Sequence, residues 1–369
     1  MIRVVHVLTR TNIGGPSVML VDLLDGLNKA SIEQTVVRGA PVASEGDYFA
    51  GRSVNAEVIT IGGLRRSLGV FGEVRSLFTL VRTLRRLRPH VVHTHMAKAG
   101  VIGRVAAVIA RVPARVHTYH GHLLHGYFST FVTRVFTGVE RLLRTVTSHS
   151  LVVGDATRHD LLRAGVVKEA QSSTIMPAAK PMQRHDRQRA RAALGVPTDA
   201  VLVGFVGRLT GIKRPDRFVR VASAVPNATF VVVGNGPLRE QMVRNASSVN
   251  NVIFLDWHDD VSLVLSALDV VVLTSDNEGV PLSLIEAASA GVPVVSTDVG
   301  SVREIVEHGA TGFVVKDERE LAEAVSRLVD DASLRRSMGE RAVAHIAQRC
   351  SMQAYLDAHT ALYERLTRA

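Results

Sequence analysis

Two glutamates with seven residues between them stand in Glu278-Gly279-Val280-Pro281-Leu282-Ser283-Leu284-Ile285-Glu286. The run follows a β-branched stretch at 269–273 and opens a helix that the pattern carries to 290. The first carboxylate then sits in a loop at a strand's carboxyl end, and the second in the first helical turn. At a helix start the N–H groups of Val280, Leu282 and Ser283 lack intrahelical acceptors and can meet an anion or a hydroxyl. Two carboxylates accepting several hydrogen bonds suit a polyol ligand. Ser283-x-x-Glu286 also spells a capping box, so the residues alone leave both readings open.

A second cluster, Gly207-Arg208-Leu209-Thr210-Gly211-Ile212-Lys213, follows another strand-like run. Its glycines permit a sharp turn. A forked guanidinium and a compact ammonium at a sheet's carboxyl edge suit a diphosphate, and two ordinary surface cations are the alternative. Gly14-Gly15-Pro16 sits between the first strand and its helix, where exposed amides cradle a phosphate if the loop is more than a tight turn. It lacks the GxGxxG spacing of a dinucleotide site. Gly234-Asn235-Gly236-Pro237 is a further tight loop. Finally, His117-Thr118-Tyr119-His120-Gly121-His122 ends a strand, with His93, His95 and His125 near it in the chain. No HExxH pattern and no cysteine partner accompany these histidines, which argues against zinc.

The elements that must position these residues alternate short β-branched runs with helical periodicity, the pattern of parallel sheets with crossover helices. Strands are expected at 3–8, 34–38, 57–61, 90–94, 115–118, 149–153 and 173–176, and again at 201–206, 229–233, 252–255, 269–273 and 292–296. Helical periodicity places Val18, Val21, Leu24 and Leu27 on one face, and another helix runs from Gly72 to Arg88, stopped by Pro89. A basic stretch from Pro177 to Asp199 interrupts the alternation and reads as a connection with a short helix near 186–194. Beyond Glu318 the chain is nearly all helical, with a bend at Ser351, after which Tyr355, Ala358, Leu362 and Leu366 share a face. The expected domains are 1–177 and 178–350, with the helix 351–369 packing back on the first; a cleft between two such sheets is a natural ligand site.

At 369 residues the chain suits two cores better than one. Its net charge of +10 favours an anionic partner: a nucleotide, an anionic lipid or a nucleic acid. Nucleic acid is the weakest of these, because no recognised motif occurs and aromatic residues, at 5%, are thin for base stacking. The single cysteine, Cys350, excludes an internal disulfide and points to a reducing cytoplasm. No segment reads as a signal peptide or a membrane span.

Taken in order, the glycine loop, His120, Gly-Arg-Leu…Lys, Gly-Asn-Gly-Pro and Glu-Gly-x-Pro-x-x-x-x-Glu resemble the family-4 glycosyltransferases of the GT-B fold over nearly the whole chain. The segment from His93 to Gly100 is similar to one in the capsule and O-antigen branch. The resemblance implies an α/β fold of two Rossmann-like parallel-sheet domains facing across a cleft. It also implies retaining, metal-independent transfer of a hexose or N-acetylhexosamine from a nucleotide diphosphate sugar, UDP being the commoner nucleotide, with no cofactor. By that resemblance Gly14 and Gly15 approach the donor phosphates, Arg208 and Lys213 neutralise them, and Glu278 binds the sugar hydroxyls. Gly279, Val280, Pro281 and Leu282 form the assisting loop, Glu286 holds the ribose, and His120 contacts the donor sugar near the anomeric centre. Glu278 and His120 are the expected catalytic pair. Where the family carries an asparagine-glycine or proline-glycine pair after the last first-half strand, Met176-Pro177-Ala178-Ala179 stands here. The acceptor is expected to be a saccharide, lipid-linked and reached at an anionic membrane surface, or a soluble small molecule. A sugar-nucleotide epimerase shares the architecture, but its Ser-Gly-Gly-type loop is replaced by Glu278-Gly279-Val280-Pro281. An inactive sugar-nucleotide-binding subunit is the reading from another class.

Overall fold

The structure, a computed structural model, describes residues 1–41, 46–64, 70–121, 124, 126 and 129–368, the side chains of 70 and 71 excepted. His122, His125 and the pair Arg65-Arg66 lie outside the described residues. Two compact units result, one of Met1–Ala178 with Met352–Ala369 and one of Ala179–Ser351.

The first unit begins β1 (Ile2–Leu8), α1 (Gly15–Gly26), β2 (Ile32–Gly39), β3 (Glu57–Ile61) and α2 (Val70–Leu87). It continues β4 (Val91–His95), α3 (Ala97–Ile109), β5 (Ala114–Tyr119), α4 (Thr130–Leu143), β6 (His149–Val152), α5 (Asp155–Arg163) and β7 (Ser172–Thr174). The second unit contains α6 (Arg187–Leu194), β8 (Leu202–Val206), α7 (Pro215–Ala224), β9 (Thr229–Val233), α8 (Arg239–Asn245), β10 (Val252–Leu255) and α9 (Val261–Ala267). Then come β11 (Val270–Leu273), α10 (Leu282–Ser289), β12 (Val294–Thr297), α11 (Val302–Ile305), β13 (Gly312–Val315), α12 (Glu318–Asp330) and α13 (Ala332–Arg349). The last helix, α14 (Met352–Arg368), belongs to the first unit.

Among the described residues the sheets run β3-β2-β1-β4-β5-β6-β7 and β10-β9-β8-β11-β12-β13. All the ladders are parallel. Runs such as Val270–Leu273 are buried throughout, as strands covered on both faces must be. In both sheets the order reverses direction beside the first strand, between β1 and β4 and between β8 and β11. Loops at the carboxyl ends of those strands flank the place where doubly wound folds bind ligands.

The helix α1 departs from the expected single apolar face. Ser17 and Met19–Leu24 are all buried, because α14 covers its other side. The Tyr355 hydroxyl donates to the Met19 carbonyl at 3.1 Å, and a Cβ at Gly26 would stand 2.5 Å from Leu356. On α14 itself Tyr355 and Leu362 are buried as expected, while His359 and Tyr363 complete the face in place of Ala358 and Leu366, which are half-buried. The strand β13 had no expected counterpart.

In the basic stretch at 177–199 the short helix expected near 186–194 forms as α6, and part of its charge is buried. Asp186 caps α6 by accepting from the Arg189 N–H, and Arg191 is fully buried with Nη2 2.7 Å from Asp269 Oδ2. Arg191 also donates to the carbonyls of Ala267, Thr198 and Ala200, while Arg187 reaches the other Asp269 oxygen at 2.6 Å.

Candidate active site

The second unit brings the sequence-predicted loops after β8 and β11 together. The Asp276 N–H donates to the Ile212 carbonyl at 2.9 Å, and the Thr274 hydroxyl contacts the carbonyls of Lys213 and Arg214 at 2.8 Å. Side chains reinforce the seam, since Asp276 lies 2.7 Å from Arg217 and 3.2 Å from Arg214. The third loop packs backbone on backbone. A Cβ at Gly234, whose φ is +139°, would lie 2.1 Å from the Gly207 carbonyl oxygen, and the Leu209 N–H donates to the Asn235 carbonyl at 3.0 Å. Gly300 (φ +53°) closes on the Glu278 carbonyl, and the Ser301 N–H donates to the Gly279 carbonyl at 2.9 Å.

Within this frame Lys213 Nζ lies 2.5 Å from Glu278 Oε1, which also accepts from the Ser275 hydroxyl at 2.5 Å. Both charged side chains remain partly open, 23% for Lys213 and 11% for Glu278, so a ligand can reach either one. Arg208 is exposed and makes no ion pair among the described residues, whereas its neighbours Arg214, Arg217 and Arg220 are all paired with carboxylates. Gly279, Val280 and Pro281 are buried, and Leu282 is half-buried.

Two details of the glutamate run differ from expectation. Pro281 is the residue that caps α10, so Ser283 lies inside the helix and no capping box forms. Glu286 is the fifth helical residue, one turn further in than expected, and half-buried. The first helical N–H groups are consequently not satisfied by a side chain. Those of Val280, Leu282 and Ser283 donate to no acceptor among the described residues.

In the first unit Gly14 precedes α1 and Gly15 is its first residue, with Pro16 in the first turn. Across the switch point, β4 delivers His93 and His95, β1 delivers His6, and the register places His6 beside His93. His6 Nδ1 lies 3.3 Å from His95 Nε2, and His95 Nδ1 lies 3.1 Å from His120 Nε2. His6 Nε2 meets Gln34 Oε1 at 3.2 Å. His93 is held between the hydroxyls of Tyr363 and Thr118, each at 2.6 Å. His117 bonds Thr94 at 2.8 Å and packs against Gly100 of α3, a structural role. His120 is the first residue past β5, and its Nδ1 is buried with no hydrogen-bond partner among the described residues.

Burial keeps these imidazoles neutral. Desolvation lowers His6 to about 3 and both His120 and His359 to about 4, and drives His93, His95 and His117 well below the usual value. Nitrogens of His6, His93 and His95 lie within 4.8 Å of one another, close enough for a metal ion. Each of the three rings, however, already spends both nitrogens on protein hydrogen bonds. Beside the cluster, His95, Thr118, His120 and His359 share a small internal cavity with Leu20 and Ile175. Gln34, His6 and His359 carry no motif signal, because they meet the histidine run only in the fold, from β2, β1 and α14.

Two doubly wound parallel sheets, with polar and charged loops gathered at the switch point of each, define an α/β protein of the Rossmann-like type. Residues 14–175 match the glycosyl transferase 4-like domain and residues 186–345 match the glycosyl transferases group 1. The chain belongs to this glycosyltransferase family. It is 28% identical over 289 residues to the UDP-Gal:alpha-D-GlcNAc-diphosphoundecaprenol alpha-1,3-galactosyltransferase of Escherichia coli, covering 73% of this chain and 74% of that protein. It is 22% identical over 345 residues to the capsular polysaccharide biosynthesis glycosyltransferase CapM of Staphylococcus aureus, covering 87% and 88%. The crystal structure of Anabaena Alr3699/HepE in complex with UDP and glucose matches 99% of this chain and 100% of its own, with a TM-score of 0.82 at 21% identity. The fold is of the GT-B type.

Proposed function

We propose that this glycosyltransferase moves a hexose or N-acetylhexosamine, with retention, from a UDP-linked donor to a lipid-linked saccharide. The observation that carries the reading is the pairing of Lys213 with Glu278 beside three unused N–H groups. A cation, a carboxylate and a helix start at one sheet edge match a diphosphate and a polyol held together. In this reading Arg208 and Lys213 neutralise the diphosphate, with the amides at Gly14 and Gly15 also approaching it. Glu278 accepts from ring hydroxyls, the 279–282 loop assists, and Glu286 holds the ribose. The bond from the anomeric carbon to the diphosphate breaks as the acceptor oxygen bonds to the same face, and the acceptor's proton passes to the departing diphosphate. Preplaced positive charge stabilises that leaving group, so no metal or cofactor is required. His120 contacts the transferred sugar during this step.

The lipid-linked acceptor rests on α4, which turns apolar side chains outward. Phe131, Val135, Val139 and Leu142 are exposed along one side, with Arg134 and Arg141 among them. A helix of that kind lies at a membrane interface, its arginines near anionic headgroups. The E. coli and S. aureus relatives are named for lipid-linked and capsular products, in keeping with this acceptor. Among the described residues no helix is long and apolar enough to cross a membrane.

The test is release of nucleoside diphosphate from a panel of donor sugars in the presence of undecaprenyl-diphosphate-linked acceptors. Turnover is expected with a UDP-sugar, and His120→Ala should lower kcat far more than it weakens UDP binding. His120→Ala turnover within about twofold of wild type, roughly 0.4 kcal/mol of barrier, removes His120 from the chemical step.

A further inference from the structure

We infer that Gln34, His6 and His95 are positioning residues that fix the tautomer of His120, leaving its Nδ1 as a bare acceptor for a substrate hydroxyl. The inference rests on the role given to His120 above.

The direction of the chain is set at its buried end. Leu24 is in the last turn of α1, where carbonyls lack helical partners, and Gln34 Nε2 donates to the Leu24 carbonyl at 3.2 Å. That contact orients the amide, since the opposite flip would set two carbonyl oxygens against each other. Gln34 Oε1 therefore faces His6 and can only accept. His6 must carry its proton on Nε2, which leaves His6 Nδ1 as an acceptor. His95 then donates from Nε2 to His6, and its Nδ1 becomes an acceptor in turn. His120 donates from Nε2 to His95. Every ring in the chain is an Nε2–H tautomer, and the series ends on the lone pair of His120 Nδ1.

That terminal nitrogen is buried and has no partner among the described residues. Reversing every ring would end the series on a buried, unpartnered N–H instead, and would also oppose the oxygens of Gln34 and Leu24. Low basicity of the buried rings keeps the chain neutral, so the order is not scrambled by a proton. His95 is further constrained by a close, tilted ring contact with His93, centroid to centroid 4.2 Å, and by Met96, which leaves β4 at φ +64°. A sugar or acceptor hydroxyl donating to Nδ1 would satisfy the nitrogen that this series leaves open among the described residues.

The tautomers can be read without substrate by long-range 1H–15N correlation on the 15N-histidine-labelled full chain. His6, His95 and His120 are expected to be protonated at Nε2 and bare at Nδ1. His6→Leu removes the link, so His120 should become a tautomer mixture and kcat should fall about tenfold, one hydrogen bond's worth, with KM for the donor unchanged. His6→Asn, whose amide oxygen takes the place of Nδ1 and accepts from His95, should restore both. Protonation of His120 at Nδ1 in the wild type overturns the inference. So does full activity of His6→Leu while His120→Ala is inactive, an outcome that leaves the proposed function standing. If His120→Ala keeps full activity, its role in transfer falls and the positioning inference falls with it, even where the tautomers are as expected. Stoichiometric metal in the purified protein, lost on His6→Leu, also overturns it, because a metal would occupy the lone pairs that the chain uses.

Discussion

Lys213 and Glu278 were expected to serve different parts of one ligand, yet they meet at 2.5 Å. A pair that is partly exposed gains little by itself, so its cost to ligand binding is small. Lys213→Ala should weaken binding of UDP by about 1.5–3 kcal/mol, the scale of a charge-assisted hydrogen bond, measured by titration calorimetry. Unchanged affinity would assign the diphosphate to other groups. The histidines make a second prediction. Their folded pKa values, about 3 for His6 and about 4 for His120 and His359, lie below the unfolded value near 6.5. The unfolded chain thus binds more protons between those limits, and stability is complete above about pH 6.5 and lost as pH falls toward 4. Each such histidine contributes up to about 1.4 kcal/mol per pH unit in that window. Urea midpoints at pH 7 and pH 5 check this, and equal midpoints would contradict neutral burial.

At the scale of elements, α4 is attached to its unit through a charge rather than an oily face. Its buried residues are Glu140 and Leu143, and Glu140 accepts from both Arg104 of α3 and the Tyr119 hydroxyl of β5, at 2.8 and 2.7 Å. Arg104 is wholly buried. Glu140→Ala strands that guanidinium and should cost about 3–5 kcal/mol in unfolding free energy. Replacing both partners, Arg104→Met with Glu140→Leu, should recover most of the loss, because the buried charges leave together. A double variant as unstable as the single one would show that the pair does more than satisfy itself. The arrangement explains why the apolar residues of α4 are free to face outward: the interior side of the helix is taken by a carboxylate.

For the whole molecule, the proposed function carries an expectation: the first unit meets an anionic membrane through α4. The intact chain should sediment with anionic vesicles at low salt, where each basic residue near the surface is worth about 1 kcal/mol. Added salt should weaken that attachment. Phe131→Ser with Leu142→Ser should abolish it without lowering turnover on a soluble acceptor analogue. Binding that persists in the double variant would move the contact elsewhere, and no binding at any salt would favour a soluble acceptor. Exposed Val74 and Phe78 on α2, beside Arg75 and Arg82, extend the same chemistry to a second helix.

Local pattern by itself determined the parallel α/β class, most strand positions, the end of α2 before Pro89, and the loops that carry Arg208, Lys213 and Glu278. Those features depend on residues close in the chain: β-branched runs, glycines at turns, a proline where a helix stops. The strand β13 escaped because Gly312-Phe313-Val314-Val315 is short and follows a helix of four residues, too little for a period to show. Tertiary structure alone decided which cations are committed and which are open. Arg191 and Asp269 are 78 positions apart and Arg104 and Glu140 are 36 apart, so no spacing announces either pair. It also decided the neighbours of His120. Parallel pairing of β1 with β2 and β4 sets Gln34, His6 and His95 side by side from three separate strands, and only that register turns scattered histidines into a connected chain.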